Sequence, residues 1–103
     1  MQRGEIWWAE LPKPAGLRPV LILSMDRAIG VRECVTVAQV TRRAREVPTE
    51  VPLKPIAGLP KGCVVNTDVI LTLPKAALTA RACSLAAEEL KAVSQALRFS
   101  MDL

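Results

Sequence analysis

The 103 residues contain no histidine and no tyrosine. Without an imidazole, a Ser-His-Asp triad, a histidine-based ribonuclease mechanism and histidine ligation of a metal are all out of reach. No Gly-rich phosphate loop occurs, and no acidic pair stands at metal-ligand spacing. Aromatic rings are scarce: Trp7, Trp8 and Phe99 are the whole set. Base stacking on aromatic platforms is therefore available at one or two points at most. The three cysteines, Cys34, Cys63 and Cys83, lie far apart and form no CxxC pair. An odd count, behind an N-terminus "MQRGEIWW" that lacks the plan of a signal peptide, points to reduced thiols in a cytosolic protein. They read as small core residues. Uninterrupted apolar runs are only a few residues long, well short of the roughly 18 needed to span a membrane. Chemistry here must draw on Arg, Lys, Thr, Ser, Cys, Asp or Glu, with no metal and no cofactor expected.

What is present is unevenly distributed. Residues 1–61 hold ten Lys/Arg against six Asp/Glu, whereas residues 62–103 hold four of each, so the net charge of +4 sits entirely in the first part. Within it, "TRRAR" gathers Arg42, Arg43 and Arg45. Such a cluster attracts phosphate backbones by counterion release, and it also suits a solvated basic loop.

The length suits a single domain, residues 1–103, with one modest core. "EIWWAEL" (5–11) reads as a strand with two apolar faces, Ile6 and Trp8 on one and Trp7 and Ala9 on the other. The two tryptophans fit a core or an interface between subunits better than a stacking platform. "PKPAG" is a loop. "PVLIL" is a strand buried on both faces, opened by Pro19, since proline fits a ladder only at its first position. Arg18 stands at its threshold, either solvated or held there to grip an anion. "SMDRAIGVRE" reads as a connector and "CVTVAQV" as a strand. "TEVPL" and "GCVVNTDVILTL" supply two or three more strands around the turn "IAGLPKG", and "LTLPKAALTA" allows one helical turn. Short strands with Pro/Gly punctuation predict a small barrel or curled sheet. From Ser84, a plausible N-cap, Leu90, Val93, Leu97 and Met101 recur at helical spacing, with Glu88 and Glu89 in the early turns.

Four pieces in order, "RGEIWWAEL", "RPVLIL", "AQVT" and "LPKGCVVNTD", resemble the MazF/PemK family of toxins from toxin–antitoxin systems. The resemblance implies a mainly β (α+β) fold, an SH3-like barrel with short helices and a C-terminal amphipathic helix. It implies a cytoplasmic homodimer that cuts single-stranded RNA without metal, by 2′-OH attack leaving a cyclic phosphate. It further implies a cognate antitoxin whose flexible, acidic C-terminal segment fills the RNA groove. Carried over residue by residue, the catalytic pair becomes Arg18 and Thr41. Arg42, Arg43, Arg45, Lys13, Asn66 and Asp68 are then candidate RNA contacts. The 2′-OH proton goes to Asp68, to a solvent base or to a perturbed arginine. Many members have a longer loop before the arginine, with Gly, Ser and a glutamate; here only "PKPAGL" fills that space. A non-catalytic RNA-binding barrel and a peptide-binding barrel stand as alternatives.

Overall fold

The computed structural model describes residues 1–42 and 45–103. It contains strands β1 (Glu5–Leu11), β2 (Gly16–Ile22), β3 (Cys34–Thr41), β4 (Glu50–Pro52), β5 (Val64–Pro74) and β6 (Leu78–Ser84). Helices α1 (Asp26–Val31) and α2 (Ala87–Ser100) and one 3-10 turn, Lys75–Ala77, complete it. All strand pairs are antiparallel, in the order β4-β5-β3-β2-β1-β6. Among the described residues no ladder closes the sheet, but its two ends come together: Gly58, on the loop from β4 to β5, abuts Ala82 of β6. A curled, barrel-like sheet results.

Curling explains why β2 is apolar on consecutive residues. Leu21 belongs to one core cluster, with Ile6, Ala38, Val40, Val65 and, from α2, Val93 and Ala96. Val20 and Ile22 belong to a second, with Ala9, Val35, Val37, Ile29 of α1 and Leu78. A strand covered on both faces must be apolar at every position rather than alternately.

Pro19 does not open β2, which starts at Gly16. The backbone of Leu23 donates to Thr36 O on the β3 side, while Ile22 O accepts from Gly4 on the β1 side. Odd-numbered residues of β2 therefore aim their amides at β3, and Pro19 is the first with no N–H to give. The ladder runs from Ile22↔Val37 to Val20↔Gln39 and stops there. Beyond that point β2 and β3 part.

Three further elements differ from the sequence reading. "DRAIGV" forms α1 rather than a plain connector. "LTARACS" forms β6, an edge strand paired to β1 through two register shifts. Ser84 ends that strand opposite Glu5, so it caps no helix. Instead α2 starts after Ala86, whose N–H donates to Glu89 Oε1 at 3.4 Å. Met101 lies past the helix end and is exposed, so the buried stripe is completed by Ala96 instead. Cys63 is buried, Cys83 half-buried and Cys34 exposed; all three are free thiols, and Cys34 is no core residue. No described helix is long and apolar enough to cross a membrane.

Candidate functional site

The parting of β2 from β3 makes the site. Continuing the ladder's register two steps past Val20↔Gln39 would set Arg18 opposite Thr41. Both side chains line the same two cavities, one of about 350 Å³ and one of about 490 Å³. The smaller is walled by Trp8, Pro19, Gln39, Val40, Arg42, Pro60 and Cys63. The larger adds Arg45, Glu50, Asn66 and Val69 to Arg18, Gln39 and Thr41. Arg18, Gln39 and Thr41 are thus the shared boundary, at the centre of the opening.

Each is placed by a strand. Arg18 is held in β2 opposite Ala9 of β1, and its guanidinium is exposed, with Nη1 donating to Leu17 O at 3.2 Å. Thr41 closes β3 opposite Val64. Gln39, Asn66 and Glu50 are successive register partners across β3, β5 and β4, so their side chains rise on one face as a polar row. A bulge interrupts the β3–β5 register between Ala38↔Ile70 and Gln39↔Asn66 and leaves Thr67, Asp68 and Val69 without partners on β3. Thr67 anchors the bulge, its N–H and hydroxyl both donating to Thr49 O at 2.9 and 2.6 Å.

That bulge removes Asp68 from the site. Its carboxylate accepts from the Thr49 hydroxyl at 2.6 Å, its N–H donates to Asn66 Oδ1 at 2.9 Å, and it lines neither cavity. Lys13, exposed at the tip of the β1–β2 hairpin, also lines neither. Arg42 and Arg45 each line one, and both are exposed. Arg43 lies outside the described residues.

Eight wall residues were not among the sequence candidates, and Trp8, Pro19, Gln39 and Glu50 bring the most to the site. Trp8 stands beside Arg18 in the smaller cavity, not in either core cluster, whereas Trp7 packs on the second cluster. Cys63 presents a buried thiol whose Sγ donates to Pro60 O at 3.2 Å. Burial pushes that thiol up from its ordinary pKa against the opposing pull of Arg42, so it stays protonated at neutral pH. It is a wall, not a nucleophile. Among the described residues no group of three His, Cys, Asp or Glu is placed to hold a metal ion. The chemistry on offer is three guanidinium groups, a hydroxyl, two amides and one carboxylate around an open gap. That set suits a phosphodiester, whose anionic oxygens match a guanidinium fork.

Comparison with known proteins gives a family. The sequence model described as "PemK-like, MazF-like toxin of type II toxin-antitoxin system" matches residues 2–101. The Mycobacterium tuberculosis (strain ATCC 25618 / H37Rv) protein named "Probable endoribonuclease MazF2" is 39% identical over 101 residues, covering 97% of each chain. The structure titled "Mycobacterium tuberculosis toxin MazF-mt6" superposes with a TM-score of 0.87 at 33% identity, over 96% of this chain and 97% of that one. A mycobacterial "Endoribonuclease in complex with its cognate antitoxin" superposes with a TM-score of 0.89 at 26% identity, over 100% of this chain and 96% of that one. The match over nearly the whole length settles the assignment: the chain belongs to the PemK-like, MazF-like toxins of type II toxin–antitoxin systems.

Proposed function

We propose that this toxin is an endoribonuclease that cuts single-stranded RNA at the gap between β2 and β3, using Arg18 and Thr41 on the scissile phosphate. The observation that carries the reading is that these two residues, 23 positions apart in sequence, line the same two cavities beside the point where the β2–β3 ladder ends. In the reaction the ribose O2′ attacks the adjacent phosphorus, the P–O5′ bond breaks, and the products are a 2′,3′-cyclic phosphate and a 5′-hydroxyl. Negative charge accumulates on the non-bridging oxygens as phosphorus becomes five-coordinate. Arg18 supplies two parallel donors for those oxygens from a backbone position fixed in β2, and donors aimed at developing charge give strong electrostatic stabilisation. Thr41 adds a hydroxyl to the same phosphate. Arg42 and Arg45 line the walls that flanking phosphates would pass, and Trp8 offers one aromatic face to a base.

The partner is an antitoxin with an acidic, flexible C-terminal segment, for which the positive balance of residues 1–61 provides complementary charge. The toxin works as a homodimer in the cytoplasm, where its RNA substrate is. Incubation with a long single-stranded RNA in EDTA tests the reading. Discrete fragments with 5′-hydroxyl ends are expected, and Arg18→Ala slows their appearance roughly a hundred- to a thousandfold. Retention of RNA without cutting by the unaltered protein, or an Arg18→Ala protein that cuts as fast as its parent, overturns it.

A further inference from the structure

We propose that Glu50 is the general base that takes the proton from the attacking 2′-hydroxyl, an inference that rests on the nuclease reading. A guanidinium is protonated at all working pH values and accepts nothing, and this chain has no imidazole to act in its place. Among the described residues lining the two cavities that share Arg18 and Thr41, Glu50 carries the one carboxylate. It reaches the larger cavity from β4, at the end of the row Gln39, Asn66, Glu50 that crosses the sheet toward Arg18. Its Oε1 accepts from the Arg45 N–H at 2.6 Å, which fixes the carboxylate and leaves Oε2 as the oxygen outside that bond.

The surroundings suit the task. From β2, Arg18 faces the same cavity; from the loop after β3, Arg45 does; from β5 come the neutral Asn66 and Val69. On its other side Glu50 shares a groove with Ala92, Gln95 and Phe99 of α2, none of them charged. Asp68, on β5 beside Asn66 and Val69, is engaged by Thr49 and lines neither cavity. The cation for the phosphate and the base for the sugar therefore stand on different strands, β2 and β4, and line the same cavity.

The step balances as follows. The O2′–H bond breaks and its proton passes to Glu50 as the O2′–P bond forms. The P–O5′ bond breaks, and O5′ takes a proton from water. Glu50 then returns its proton to the solvent, and the carboxylate is regenerated.

The test uses the full chain and an RNA whose cutting site has been mapped with the parent protein. Single-turnover rate is measured on that RNA, and binding on the same strand carrying a 2′-deoxy sugar at the mapped position. Glu50→Gln keeps an oxygen for the Arg45 N–H but is no base, so cutting falls on the order of a hundred- to ten-thousandfold while binding of the 2′-deoxy strand stays within about threefold. Glu50→Asp restores part of the rate, and added acetate restores part of it in Glu50→Ala. A Glu50→Gln protein that cuts within about threefold of the parent, or that loses binding and cutting in parallel, overturns the assignment and leaves the nuclease reading standing. A parent protein that leaves the RNA whole overturns both.

Discussion

At Glu5 a carboxylate is buried at the start of β1 and accepts from three directions: Gln2 N–H at 2.9 Å, Trp7 Nε1 at 3.0 Å and Arg81 Nη1 at 3.2 Å. Burial alone would raise its pKa, but the donors from Trp7, Gln2 and Arg81, with the N-terminal charge, outweigh burial and hold it below the ordinary 4.5. A group whose folded pKa is depressed stabilises the fold above its unfolded pKa and loses that contribution as pH falls through the folded value. Melting temperature should therefore drop as pH falls below about 4.5, and Glu5→Gln should flatten that acid dependence. At neutral pH the same variant should cost about 2 kcal/mol, the scale of hydrogen bonds to a charged acceptor, read by denaturant unfolding. Glu50 teaches a different lesson at this scale. In "TEVPL" it looks like any solvent-face glutamate, and only its pairing with Asn66 brings it over the cavity. Arg18 and Thr41 drew notice as candidates because short local patterns carry them, and both line the two cavities. Gln39 and Glu50 were not, because what matters about them is which strand lies alongside.

Among the elements, β1 and β3 are written plainly in alternating, β-branched and aromatic residues, and both form where the pattern puts them. The strand β6 is not. Its residues are mostly exposed, so no buried face imposes a period of two, and it is a strand because the edge of β1 supplies a ladder. The six-residue α1, with Gly30 inside it, is too short for a helical period to emerge. Pro19 shows how one residue shapes an element's neighbour: by withholding one amide from β3 it ends the ladder where the site needs a gap. Pro19→Val should restore that donor. The new amide at position 19 should be protected from hydrogen exchange by bonding to β3. RNA cutting should fall on the order of tenfold or more as Arg18 and Thr41 are drawn out of position.

On the scale of the whole molecule, the curl depends on Gly58. Its φ of +98° lies in the region that favours glycine, and a Cβ there would stand 2.3 Å from Ala82 O, a backbone atom of β6 that cannot swing aside. Gly58→Ala should cost about 3 kcal/mol, combining a strained φ with overpacking, and lower the melting temperature by roughly 15 °C. Gly16, whose φ is also positive but whose Cβ would meet nothing within 4 Å, provides the comparison, and Gly16→Ala should cost about 1 kcal/mol. Composition and punctuation were enough to place the chain among small curled sheets. The means by which this sheet brings its edges together lies in one backbone contact between residues 24 positions apart, and no local pattern encodes it.

That contact also gives the cylinder a seam. Every other neighbouring pair of strands is stitched by amide-to-carbonyl bonds, whereas β4 and β6 share no ladder among the described residues. Prising the seam apart sacrifices packing but no rung. The loop that forms it also carries Pro60 and Cys63, so one wall of the cleft hangs from the joint that yields most cheaply.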